Sequence, residues 1–201
     1  MRAMLLGVCA LGVAGFVLLH AAFAASSEPV KIGQAAPAFA LQDDQGRDVS
    51  LASYSGKIVV LEWTNPQCPY VQRHYKEGTF TKLADKYKDQ DVVWLAVNSS
   101  SSATKDVNRK WSEANKLSYP ILDDSAGVVG HVYGAKTTPD LFIIDKQGKV
   151  VYMGGIDDDP EAKHADKRIN YVDQALAEVT AGKPVTTPET KSYGCSVKYA
   201  K

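Results

Sequence analysis

Two of the three cysteines in this 201-residue chain stand where chemistry is possible. Cys68 lies in "TNPQCPYVQRHY", residues 64–75, between two prolines, where an apolar run gives way to a helical pattern. Pro69 suits the first position of a helix, because the N–H it lacks is not needed there. The thiol is then at a helix N-terminus, where free backbone N–H groups and the helix dipole lower a cysteine from about 8.5 to roughly 3.5–7.5 in pKa. A buried structural thiol is the other reading, since free cysteines are commonly buried. Cys195 sits in "VTTPETKSYGCSVKYA", a turn-prone stretch with no periodicity long enough to name an element. A thiolate that attacks a disulfide forms a mixed disulfide that another thiol must resolve. Cys195 could do so; a static Cys68–Cys195 bond, closing about 127 residues and worth roughly 5 kcal/mol, is an alternative. A third leaves both thiols free, with an outside thiol as partner.

Three other groups near Cys68 invite a role. Arg73 and His74 are five and six residues beyond it. A regular helix rotates both off its face, so they read as surface or tertiary partners rather than activators. Glu62 stands in "IVVLEWT" with apolar neighbours on both sides. A carboxylate buried there needs a partner or a role, and one with a raised pKa can accept or hold a proton beside a thiol. An edge strand that leaves Glu62 wet is the alternative.

The elements that must position these residues are readable from the pattern. "FALQDDQGRDVSLASYSG" has short apolar stretches about a Gln45-Gly46 turn and reads as a hairpin. "KIVVLEW" and "DVVWLAV" are buried strands, and "YPILDD" begins a shorter one. Helical patterns run from Pro69 through residue 90, broken at Gly78, through "ATKDVNRKWSEANKL", and through "RINYVDQALAEVTAGK". "DLFIIDKQGKVVYMGG" reads as an antiparallel hairpin. Strands alternating with helices predict an α/β fold with parallel strands and crossover helices, closed by the second hairpin into a mixed sheet. Residues 31–182 are expected to form one domain and 183–201 a tail.

The first residues, "MRAMLLGVCALGVAGFVLLHAAFA", combine an early Arg2, an apolar stretch and a small-x-small end at Ala22–Ala24. They read as a secretory signal, residues 1–24, which predicts an exported, periplasmic protein in a compartment where disulfides form. Cys9 lies inside the apolar region without the small residue before it that lipid modification wants. The 23 basic and 23 acidic residues balance, which offers nothing to nucleic acid or to an anionic membrane.

Taken together, "EWTNPQCPYVQRHY", "YPILDDSAGVVGHVYGAKTTPDLFIID", "GGIDD" and the terminal "GCSVK" resemble the peroxiredoxin-like, exported bacterial branch of the thioredoxin-fold redoxins. The resemblance covers residues 31–182 and implies a thioredoxin-like fold, with a central mixed sheet flanked by helices, an N-terminal hairpin and an extended tail. It sets Cys68 at the first cysteine of Cys-x-x-Cys and Val71 at the second. It sets Glu62 at the buried acid, and Thr138-Pro139 at the loop whose cis-proline faces the active cysteine, where the Thr138 backbone pairs with an extended substrate. The peroxidase motif Pro-x-x-x-Thr-x-x-Cys is absent: Leu61 and Asn65 stand where it wants proline and threonine.

The function expected is that of an exported thiol-disulfide oxidoreductase with Cys68 as nucleophile, Glu62 assisting proton transfer, Cys195 resolving, and Pro69, Thr138 and Pro139 positioning helix and substrate. Its partners would be a protein or small-molecule thiol or disulfide and an external reductant, with no cofactor, resident metal or nucleic acid. A thiol peroxidase using Cys68 is one alternative. A non-enzymatic module for a partner or for Cu(I) is another, for which His74, His131 and His164 show no tight ligand spacing. "DDDP", residues 157–160, lacks the alternation of a calcium loop and is expected to be a solvated acidic turn.

Overall fold

The computed structural model describes residues 29–164 and 167–201, so the expected signal at 1–24 lies outside the described residues. Its elements follow the apolar periods. The β-branched run around Val59 becomes β3 (Ile58–Trp63), every residue of which is buried. It is flanked by β4 (Val92–Asn98) in parallel and β7 (Asp140–Ile144) in antiparallel register. With β1 (Ala40–Asp43), β2 (Asp48–Ser50), β5 (Ile121–Asp123) and β8 (Val150–Gly154), these make a seven-stranded mixed sheet ordered β2-β1-β5-β4-β3-β7-β8. The N-terminal hairpin joins this sheet by pairing β1 with β5. Because β3 is central, the wet edge position considered for Glu62 does not arise.

Alternation along β3 divides the core between the two faces of the sheet. Ile58 and Val60 face a cluster that holds Cys68, Val71, Tyr75, Phe80 and Trp94, whereas Val59, Leu61 and Trp63 face one with Tyr133, Phe142 and Val197. Glu62 shares the face of Ile58 and Val60 by the same period. Helices α1 (Pro69–Glu77), α2 (Thr79–Tyr87) and α5 (Tyr171–Thr180) supply the first face, joined by Trp111 of α3 (Lys105–Asn115). Gly78 ends α1 and starts α2 at φ 70°, a left-handed conformation glycine adopts without a Cβ penalty.

Two elements are not evident in the sequence. A six-residue helix, α4 (Val128–Tyr133), lies between Gly127 and Gly134 and is too short to display a period. The tail does form a strand: β9 (Cys195–Ser196) pairs antiparallel with β6 (Thr137–Thr138). Upstream, Thr190 N–H donates to Met153 O, and Met153 N–H to Pro188 O; downstream, Val197 N–H donates to Lys136 O and Ser101 N–H to Lys198 O. The acidic turn at 157–160 also differs from expectation. Asp157 and Asp159 are buried, because Asp157 pairs with Arg168 and Asp159 accepts from the backbone N–H groups of Lys163 and His164.

Candidate active site

Cys68 is the residue before α1, with extended backbone, and Pro69 is the first residue of the helix. The turn into it is built locally: Gln67 N–H donates to Asn65 Oδ1 at 2.8 Å and Cys68 N–H to Asn65 O at 2.9 Å. This places the thiol under the sheet's carboxyl end, with only 1% of the residue exposed. When protonated it donates to Thr138 O at 2.9 Å. Burial pushes the thiol up, but the Thr138 side chain, the Val71 backbone N–H and the thiol and backbone N–H of Cys195 outweigh it, and Cys68 stands below its ordinary value. Val71, at the position of a second Cys-x-x-Cys thiol, is fully buried in the core instead.

Thr138 ties the two cysteines together. Its peptide bond to Pro139 is cis, and its backbone is registered opposite Cys195. Both thiols are free, and Cys195, partly exposed, packs against the core cluster that holds Cys68. Burial first, and then the neighbouring Cys68, push Cys195 up to about 11. The first proton of the pair therefore leaves Cys68. Gly194 permits this approach: at φ 130° it lies so close to Thr138 that a Cβ would stand 2.1 Å from the Thr138 carbonyl oxygen.

Glu62 is fully buried and its carboxylate is enclosed by donors. Tyr75 Oη donates to Oε1 at 2.8 Å and Trp94 Nε1 to Oε2 at 2.8 Å, with Tyr119 Oη at 3.5 Å. Burial raises its pKa to about 7 in spite of these bonds. Its hydrogen bonds are made to the aromatic groups, while Cys68 and Tyr75 pack in the same core cluster. Asp140, the residue after Pro139, is also raised by burial, to about 6, and accepts from Lys136 N–H at 3.0 Å.

Arg73 and His74 are tertiary partners and hold the tail. Tyr193, two residues before Cys195, donates to Asp157 Oδ1 at 2.5 Å; it receives Arg73 Nη2 at 3.2 Å and lies 2.9 Å from His74 Nε2. Arg168 lies between Glu77 and Asp157, at 2.9 and 3.3 Å. Burial and the positive charges of Arg73 and Arg168 depress His74 to about 3, so it is neutral. With one ring nitrogen near Tyr193 and the other near Thr79, His74 is directed away from a shared ligand role with Cys68. On the far side of Cys195, Val197 enters the second core cluster, and Tyr199 stacks on His131 at 4.0 Å and donates to Ala135 O at 2.8 Å. Sequence reasoning did not single out Tyr193, Arg168 or the Tyr75–Trp94–Tyr119 shell, and it placed Asp157 in a solvated turn. The one available signal was a tyrosine two residues before a cysteine in an otherwise featureless tail.

The arrangement brings Cys68, Pro69, Thr138, Pro139 and Cys195 together and sets Glu62 in the core layer beneath them. Two adjacent thiols of unequal acidity can interconvert with a disulfide, gaining or giving two electrons. Comparison with known proteins agrees with that chemistry. Residues 32–153 match the model of the family described as AhpC/TSA. A thiol-disulfide oxidoreductase, ResA, of Geobacillus thermodenitrificans is 33% identical over 132 residues, covering 66% of this chain and 74% of its own. A crystal structure of an uncharacterized conserved protein from Geobacillus kaustophilus superposes with a TM-score of 0.77 at 28% identity, covering 85% of this chain and 93% of that one. A hypothetical protein from Sinorhizobium meliloti 1021 gives 0.76 at 27% identity, with 87% and 97% covered.

Proposed function

The chain belongs to the AhpC/TSA family and is a thioredoxin-fold thiol oxidoreductase, and on that premise we propose that Cys68 and Cys195 are its redox pair. One observation carries the reading. Cys195 is paired to Thr138, whose carbonyl oxygen is 2.9 Å from Cys68 Sγ, and Cys195 packs against the core cluster that holds Cys68. The tail thus supplies from 127 residues away what Cys-x-x-Cys supplies from one helical turn.

In the cycle, the Cys68 thiolate attacks a disulfide sulfur and forms a mixed disulfide as the first substrate sulfur leaves as a thiolate; Cys195, giving up its proton, then attacks Cys68 Sγ, so that the Cys68–Cys195 bond forms and the second substrate sulfur leaves, and each released thiolate takes a proton. The substrate disulfide is reduced by two electrons as the pair is oxidised. Pro69 fixes the start of α1, and Thr138 with Pro139 holds the second sulfur against the first. Glu62, held near pKa 7, is a proton reservoir for the core layer that contains Cys68. The match to the family model supports residues 31–182 as the oxidoreductase domain, and the pairing supports 183–201 as part of the working site. Residues 1–24 are read as the signal that takes the protein to an oxidising, periplasmic compartment. Among the described residues no helix is long and apolar enough to cross a membrane.

The test is turnover of a small disulfide by the full chain with a dithiol reductant. Cys68→Ser and Cys195→Ser are each expected to abolish catalysis while retaining the parent's circular dichroism. A Cys68→Ser chain with full activity toward thiol, disulfide and peroxide substrates would overturn the reading.

A further inference from the structure

The edge at which Thr138 could pair with an extended chain is occupied by the protein's own tail. Thr137 and Thr138 are registered against Ser196 and Cys195, and the strand is fastened on both sides. Tyr193 is gripped by Asp157, Arg73 and His74, and Val197 and Tyr199 are packed into the opposite core. Gly194 lies against Thr138 with no room for a side chain. A second extended polypeptide cannot occupy that edge while β9 does.

Burial then separates the two sulfurs. Cys68 is 1% exposed and packs among core residues that include Val71, whereas Cys195 is partly exposed. Thiolate attack on a disulfide is collinear, with the incoming sulfur opposite the leaving one. A thiol that attacked Cys68 would have to come from the packed core side; one that attacked Cys195 would come from solvent. We propose that β9 is a docked internal strand that closes the Thr138 edge to outside polypeptides, and that the oxidised pair exchanges with small external thiols at Cys195, with Cys68 leaving. This rests on the redox-pair reading above and reverses the order expected from the sequence, in which Cys195 only resolves.

The step balances. The external thiolate forms a bond to Cys195 Sγ, the Cys195–Cys68 bond breaks, and its electron pair stays on Cys68, where the donors that favour a thiolate receive it. A second external thiolate attacks the mixed disulfide, Cys195 leaves and takes a proton from solvent, and two external thiols have become one disulfide. The class of reductant is a low-molecular-weight thiol, which needs no strand pairing to reach the exposed sulfur.

The test uses glutathione on the oxidised full-length protein, after mass mapping of the Cys68–Cys195 link. The mixture is quenched with acid at short times, alkylated and mapped again. Glutathione is expected on Cys195, with Cys68 alkylated, by roughly tenfold over the reverse. Gly194→Ala, which must displace the tail from Thr138, is expected to move that ratio toward one. Glutathione mainly on Cys68, or a ratio unchanged by Gly194→Ala, would overturn the proposal and leave the redox pair standing. Failure of the oxidised protein to form the link, visible before glutathione is added, would sink the redox-pair reading itself.

Discussion

Replacing Glu62 by glutamine should change how stability depends on pH, by an amount the site determines. Burial raises the folded pKa from an ordinary 4.5 to about 7. The folded protein therefore binds the Glu62 proton more tightly than the unfolded chain does between those values. Stability is favoured while the group is protonated and falls as pH rises from 4.5 through 7, then levels off. At about 1.4 kcal/mol per pKa unit, the loss is about 3 kcal/mol. Other groups titrate nearby and must be separated. Asp140, raised to about 6, has the same sign; His74, depressed to about 3, has the opposite sign, its cost appearing as pH falls below its ordinary 6.5. The difference between parent and Glu62→Gln cancels both, because the variant keeps them. Glutamine can accept from Trp94 Nε1 and donate to Tyr75 Oη, which rotates to accept, so the shell remains satisfied. Urea unfolding from pH 4.5 to 8.5 should show the parent losing about 3 kcal/mol relative to the variant across that window. A difference that stays constant with pH, or that grows in the parent's favour as pH rises, would refute the burial argument.

The fastenings of the tail give further outcomes. Tyr193→Phe removes the hydroxyl shared by Asp157, Arg73 and His74 and should cost about 1–3 kcal/mol in unfolding measurements. It should also speed alkylation of Cys68 by iodoacetamide; an unchanged rate would show that Tyr193 does not hold the tail over that thiol. Gly194→Ala puts a methyl group 2.1 Å from Thr138 O and should slow formation of the Cys68–Cys195 link several-fold under a fixed oxidant. Oxidation at the parent rate would mean that the close approach at Thr138 is not needed to bring the sulfurs together.

The parts of this account visible in the sequence are those carried by period and by local turn chemistry. Ile58 to Trp63 announces a buried strand through an uninterrupted β-branched run, and Gly78 marks the break between α1 and α2 because only glycine enters the left-handed region cheaply. Cys68 could be set ahead of a helix because Pro69 is at its first turn. What escaped depends on contacts between distant residues. Nothing local in "KSYGCSVKYA" says that Cys195 and Ser196 pair with Thr138 and Thr137, or that Tyr193 reaches Asp157. The buried Asp157 and Asp159 were equally hidden, since an acidic run looks solvated until Arg168 and the backbone donors of the loop are folded against it. Glu62 was conspicuous as a carboxylate among apolar residues, but its three aromatic donors come from α1, β4 and the loop before β5.

Mass mapping of the thiol-alkylated full chain decides whether Cys68 and Cys195 form one reversible redox pair. The protein is purified without reductant, mapped, treated with mild reductant, mapped again and then reoxidised. The expected result is a Cys68–Cys195 link that opens under mild reductant and returns with oxidant. Two free thiols at every stage, or a link that mild reductants leave closed, would contradict it.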